Sequence, residues 1–539
     1  MASYGIIENF KTKKNPSFLG KAAALAPLLN RHPVRPTRLV EITETHQVVQ
    51  SEWQVGETEG RRHDVTVRTC GELEDLERRK LKKGDRVTLD FGNHQVGYVS
   101  FHVQATGSHF DAPAYIRMKF AEIPCEILED SSDYHGWISK SWIQEEYLHL
   151  DFLPATVKLP RRYAFRYMLI EVLDTSPKYA LKISEPVCEY VSAVEMDSVP
   201  PLHSGDALLD QIDRVGLKTL MNCTQMVFED GVKRDRRLWL GDLRLQALAN
   251  YCTFRNYDMV KRCLYLFAGE TFEDGRIGAC FFHEPEPCVD DTYLMDYALL
   301  FVPTLFDYYE ASGDLETLQE LYPLAMRQID ICLAALDKAH LVVDKGEDFW
   351  CFLDWGEGLN KQAGAQAVLI YSIHCGIRMA RVLGDEERAA SLSRENEALK
   401  KAAVQAFWDE DLKLFVSGQE RQVSWASQVW MILAQVFDRE TNRKLIHRTR
   451  QKNPRIHMVT PYMYHHYIDA LIRCDERELA LEEIKRYWGG MIRDGADTFW
   501  ELYDPDNKYE SPYGSCMVNS YCHAWSCTPS YFVRKFGLR

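Results

Sequence analysis

The sequence is most informative at first through what it lacks. No apolar run approaches the ~18 residues that cross a bilayer, and the longest, Val429 to Phe437, is about half that. The first residues, Met1 to Asn15, hold lysines but no apolar stretch of the signal-peptide kind, so a cytoplasmic protein is expected. The fifteen cysteines include no C-x-x-C pair, which excludes a zinc knuckle or thioredoxin-like motif and leaves buried reduced thiols. No G-x-x-x-x-G-K-[ST] phosphate loop, dinucleotide fingerprint or G-x-S-x-G elbow occurs. Positive charge is also short: the net charge of −15 argues against nucleic acid or an anionic membrane as partner. His465 and His466 are adjacent rather than four apart, and His283-Glu-Pro-Glu286 lacks further ligands, so neither a catalytic metal nor a cofactor is expected.

What is present is length, aromatic side chains and carboxylates. A chain of 539 residues exceeds one ordinary core, and 46% hydrophobic residues are enough to fill two or more. From about Val40 to Ala193 apolar residues alternate in period two, as in Arg86–Gly92 and Gly97–Val103, parted by Asn93-His-Gln-Val, and again in Tyr115–Phe120 and Arg166–Val172. That pattern predicts an antiparallel β-sandwich. After Pro200-Pro201 the period becomes helical. Ser204 is placed to cap a helix bearing Leu208, Ile212, Val215 and Leu220, and about eleven more amphipathic segments follow, the last over 519–535. No fixed-period repeat links them, so a closed (α/α)6 toroid is expected, its chemistry on the long loops 271–290, 340–360 and 491–518. The division is a 1–37 extension, a 38–199 sandwich and a 200–539 barrel.

Two stretches on those loops concentrate the chemistry. Asp230-Gly-Val-Lys-Arg-Asp-Arg-Arg-Leu-Trp-Leu-Gly-Asp242 and Gly495-Ala-Asp-Thr-Phe-Trp-Glu501 set carboxylates beside Trp and Gly, a composition suited to gripping a sugar and to acid/base work on a glycosidic bond.

In order along the chain, Asp230-x-x-x-Arg234-Asp235 with Trp239-x-Gly241-Asp242, Asp354-Trp355, Thr498-Phe-Trp500-Glu501 and Ser520-Tyr-Cys-His523-Ala-Trp525 resemble the motifs of glycoside hydrolase family 78, the α-L-rhamnosidases. Leu89-Asp-Phe-Gly92, Gly97-Tyr-Val and Arg161 to Glu171 are similar to the β-sandwich that precedes the barrel in that family. The resemblance implies release of terminal α-L-rhamnose, or of a related deoxy or uronic sugar, from oligosaccharides or glycosides by inversion. It assigns the general base to Glu501. In the family a Glu follows the Arg-Asp pair as general acid, whereas Arg236 stands here, so Asp235 is the nearest candidate, with Asp230 and Asp242 in the same segment and Asp291 or Glu286 able to reach in from another loop.

Arg234, Trp239, Asp242, Asp291, Asp354, Trp355, Trp500, His523 and Trp525 are the expected sugar-binding residues. Lys233, Arg234, Arg236 and Arg237 would suit a uronate. The rival readings are an unsaturated glucuronyl hydrolase or other exo-glycosidase on the same barrel, and an inactive sugar-binding homologue, for which the missing Glu argues. The partner is an oligosaccharide or glycoside, with a homodimer among the assemblies allowed.

Overall fold

In a computed structural model, residues 11–46, 63–343 and 351–539 are described. Residues 1–10 of the expected extension, 47–62 of the expected sandwich and 344–350 of the expected 340–360 loop lie outside them.

The alternating pattern produces one antiparallel sheet of eight strands, in which Asn30–Val34, Tyr179–Ser192, Arg86–Gly107, Ala155–Asp174, Ala114–Ala121 and Glu145–Leu150 neighbour one another in that order. Arg38–His46 pairs with both Arg86–Gly107 and His63–Gly71. The two segments expected on either side of Asn93-His-Gln-Val are a single strand, Arg86–Gly107, whose register slips between Asp90 and Gln95. The cause is local. Gly92 takes φ 82° and its N–H is accepted by Asp90 Oδ1 at 2.8 Å, which makes a bulge rather than a hairpin turn. The long partner strand Ala155–Asp174 follows it through the bend, so both strands serve the two layers of the sandwich around Leu89, Phe101, Met118, Phe165 and Ile170.

The helical part begins with Ala207–Cys223. Its cap is Asp206, which accepts from Leu208 N and Leu209 N, and not Ser204, whose hydroxyl instead donates to Asp210. Successive helices pack in pairs around a core that includes Leu243, Phe301, Ile370, Trp430 and Trp488. The expected helix over 519–535 is confined to Pro529–Phe536. Pro529 starts it; the chain before it is tied down where His523 N donates to Phe499 O and Ala524 N to Asp230 O, and then makes only a 3-10 turn over Ala524–Cys527. Those two bonds matter for the site, since they fasten the three motif-bearing segments to one another.

The sandwich is clamped to the barrel by buried charge. Lys233 Nζ lies 3.2 Å from Glu122 and 2.8 Å from Glu126, His94 Nε2 is 2.9 Å from Glu122, and Tyr521 N donates to Glu122 Oε2 at 2.7 Å. Arg162 pairs with Glu229 at 2.6 Å on the same interface. The His94–Glu122 contact lies within the sandwich and positions Glu122; the others join a sandwich residue to a barrel segment at or beside a motif.

Candidate active site

Residues 230–237 form a tight loop closed by Asp230 N to Arg237 O and by Arg236 N to Gly231 O. Within it Asp235 (φ 62°) and Arg236 (φ 54°) both adopt left-handed backbone, a conformation that costs non-glycine residues about 1–3 kcal/mol each and persists only where surroundings impose it. The surroundings are close. A Cβ on Gly231 would stand 2.5 Å from Ser520 Oγ, and Gly231 bridges to His523. The turn decides which side chains face inward: Asp235 lines the cavity beneath the barrel loops, while Arg236 donates from Nε to Lys233 O and sits beside Arg162 and Glu229 at the sandwich.

That cavity is about 1300 Å³. At its floor the Arg234 guanidinium spans two carboxylates. Nη2 is paired with Glu501 Oε2, and Nη1 lies 3.2 Å from Asp235 Oδ1. The fork therefore sets Glu501 and Asp235 within roughly 10 Å of each other, on the scale of the ~6.5–9.5 Å that leaves room for a water in inverting glycosidases. Tyr513 donates its hydroxyl to Glu501 Oε1 and Arg234 Nε donates to Val518 O at 3.0 Å, so the pair has little freedom. The Glu501 main chain is pinned as well, its N–H to Ser520 O and its carbonyl by Trp525 Nε1, both at 2.9 Å.

The electrostatics separate the carboxylates. Burial pushes Glu501 up, but the Arg234 charge, His523 and the hydrogen bonds from Arg234 and Tyr513 outweigh it and hold the carboxyl below the usual range, ionised at neutral pH. Asp230 goes the other way: burial first, then the negative charges of Asp235 and Asp242, push it well above the usual range, so it keeps a proton. Asp242 is raised by burial although His523 Nε2 approaches its Oδ1 at 3.1 Å. Acidic groups that line one cavity are thus driven in opposite directions, the condition for dividing base and acid roles.

Of the residues singled out by sequence, Asp230, Arg234, Asp235, Trp239, Asp242, Asp354, Trp355, Glu501, His523 and Trp525 line this one cavity. Three do not. Trp500 is packed edge-on against Tyr503 and Tyr521, with ring centroids at 5.7 and 5.2 Å, and belongs to the core. Asp291 yields its place to Asp290, because Asp290 N donates to Cys280 O and this pairing turns Asp290 inward. Glu286 is exposed at a turn away from the cavity.

Asp354, although on the wall, is fully engaged: it accepts from Val459 N, Thr460 N, Thr460 Oγ1 and Trp355 N, fixing its loop to the helix Pro461–Arg473, and burial raises it to about 6. Of the four cations at 233–237, only Arg234 and Arg237 reach the cavity.

Sequence reasoning missed Tyr513, Phe352, Tyr297, Asp290 and Trp137. Phe352 stacks on Trp525 at 5.7 Å and meets Trp355 edge-on at 5.5 Å, forming an apolar corner opposite the carboxylates. Its signal was its place beside Asp354-Trp355. Tyr513 had only its place in the long 491–518 loop, and Trp137, from the sandwich, had none. Among the described residues no group of three His, Cys, Asp or Glu side chains is arranged to hold a metal ion, and no helix is long and apolar enough to cross a membrane.

Residues 47–190 match the glycosyl hydrolase family 78 alpha-rhamnosidase N-terminal domain, and residues 199–535 match the bacterial alpha-L-rhamnosidase 6 hairpin glycosidase domain. No curated protein matches the chain by sequence. Among solved structures, a rhamnosidase from Klebsiella oxytoca with rhamnose bound is 44% identical, superposes with a TM-score of 0.93, and covers 98% of this chain and 100% of its own. A GH78 family rhamnosidase of Bacillus sp. GL1 is 21% identical with a TM-score of 0.69, over 83% of this chain and 46% of that one. The alpha-L-rhamnosidase of Streptomyces avermitilis complexed with L-rhamnose is 16% identical with a TM-score of 0.63, over 94% and 44% respectively. The last two share the fold.

Proposed function

The chain belongs to the family 78 α-L-rhamnosidases, and on that premise we propose that it is a glycoside hydrolase releasing terminal α-L-rhamnose by a single inverting displacement. The observation that carries this reading is Arg234 held between Glu501 and Asp235 at the floor of one aromatic-cornered cavity. Glu501, kept ionised, takes a proton from a water that attacks the anomeric carbon. The bond from that carbon to the glycosidic oxygen breaks, and the oxygen receives a proton from the Asp235 carboxyl, whose side chain is 22% exposed and lines the cavity. Asp230, buried behind it and pushed well above the usual carboxylate range by its burial, is the store from which that proton is replenished. The apolar corner of Phe352, Trp355 and Trp525 suits the methyl group of a 6-deoxy sugar, while Asp242, His523 and Arg237 suit its hydroxyls.

The turn at Asp235 and Arg236 also answers the missing family Glu: an aspartate takes the cavity position while the arginine is sent to the sandwich. The reading is tested by following aryl release from aryl α-L-rhamnoside and a panel of other aryl glycosides, wild type against Glu501→Gln. Release from the rhamnoside alone, lost in the variant, is the expected result. Release from another sugar would transfer the reading to a different exo-glycosidase. Binding of rhamnose with no turnover of any glycoside would make the chain a binding homologue.

A further inference from the structure

The cavity is larger than a single sugar ring requires. Its volume of about 1300 Å³ exceeds the ~300–1,000 Å³ of pockets that enclose drug-sized ligands, so it has room for a leaving group as well as a sugar ring. The rim of that space is built partly by the sandwich. Between the strands Ala114–Ala121 and Glu145–Leu150 the chain crosses to the barrel and places Trp137 and Ile138 on the cavity wall.

Trp137 is 51% exposed, unusual for an indole, yet it is held in place. Its N–H donates to Pro512 O at 2.7 Å and its ring leans on Tyr513 at 5.5 Å. The loop beneath it is pressed onto the barrel: a Cβ on Gly136 would stand 1.9 Å from Tyr513 O, and the Tyr134 hydroxyl reaches both Ile138 O and Tyr513 O. A large ring half exposed at a site and held in orientation by its N–H bond and a neighbouring ring has the form of a stacking platform, because little side-chain freedom is lost when a flat ligand settles on it. Gln419 and Glu420, exposed and polar, line the same cavity.

We propose that Trp137 determines leaving-group specificity: it stacks the flat apolar face of the ring attached to the scissile oxygen, either a second pyranose, whose hydroxyls would meet Gln419 and Glu420, or an aromatic aglycone. The inference rests on the rhamnosidase reading for its direction and adds a residue from the non-catalytic domain to substrate recognition. It requires no change at the carboxylates, so Trp137 acts on leaving groups that offer a ring and is indifferent to those that do not.

The test compares kcat/KM of wild type, Trp137→Ala and Trp137→Phe on three α-L-rhamnosides: methyl, phenyl and a rhamnosyl-glucose disaccharide. The expected result is a fall of about tenfold or more in Trp137→Ala on the disaccharide, the phenyl glycoside or both, no more than twofold on the methyl glycoside, and recovery of most of the loss in Trp137→Phe. Which ring-bearing substrate falls identifies the leaving group. An equal loss on all three would overturn the inference, because it would mean that Trp137 works through Tyr513 on Glu501; equal rates in all three proteins would overturn it too.

Saturation-transfer NMR with phenyl β-D-glucoside, which contains no rhamnose, separates this inference from the rhamnosidase reading. Transfer in the wild type that disappears in Trp137→Ala supports the platform even if every rhamnoside stays uncleaved, and absence of transfer in both counts against it.

Discussion

Lys233 and Arg234 are consecutive, both are buried, and each lies between two carboxylates, yet they serve opposite ends. Lys233 faces the sandwich, where Glu122 and Glu126 close around it. Arg234 faces the barrel, where Glu501 and Asp235 flank it at the floor of a space for a ligand. Behind the loop the charges are satisfied by one another and hold two domains together; in front they are satisfied only in part and remain available to a substrate. A buried ion pair is therefore read as structural or chemical from what lies on its open side, and its partners alone do not decide.

That contrast is broken most severely from the front. Glu501→Gln should lower kcat by about 10²–10⁴-fold, the range for removal of a general base, with the denaturation midpoint close to that of the wild type. From the back, Lys233→Met should reverse the pattern: two buried carboxylates lose their cation, which costs on the order of 3–5 kcal/mol in chemical denaturation, while the protein that remains folded keeps kcat within a few-fold.

The pH dependences follow the same division. On the front, Glu501 held below the usual carboxylate range places the acid limb of kcat/KM below that range, and the raised Asp230 places the alkaline limb above it. Asp242→Asn removes a negative charge that keeps the proton on Asp230, so the alkaline limb should move to lower pH while the acid limb moves little. On the back, burial and the neighbouring Glu122 push Glu126 from 4.5 up to about 7 against the pull of Lys233. A carboxyl raised on folding stabilises fully below its unfolded value and loses that contribution as pH rises through the folded one. Wild type minus Glu126→Gln, followed by chemical denaturation, should therefore lose stability between about pH 4.5 and 7 and level off above. The smallest effect expected is at Asp291→Asn, where kcat/KM should stay within about twofold and stability within about 0.5 kcal/mol.

Much of this was legible in the sequence. The change from period two to period 3.6 at Pro200-Pro201 gave the two-part fold, since alternation and helical spacing are local properties of the chain. Glu501, Arg234 and Asp235 stand out in the sequence because their motifs lie in order, and they meet at one cavity. The finer errors have a shared cause: whether Gly92 makes a bulge or a turn, whether Ser204 or Asp206 caps a helix, and whether 519–528 is helical depend on partners distant in sequence. Trp500 looked like a sugar contact because it precedes Glu501, and only the packing of Tyr503 and Tyr521 places it in the core. Tyr513 and Trp137 carry no motif, and their roles arise where a sandwich loop meets a barrel loop.

The central claim is that Glu501 and an aspartate on the far side of Arg234 act in one displacement. Following the anomeric signals of the sugar by NMR as aryl α-L-rhamnoside is hydrolysed tests it directly. The account predicts that β-L-rhamnose appears first and then mutarotates; α-L-rhamnose as the initial product would show retention through a covalent intermediate and contradict it.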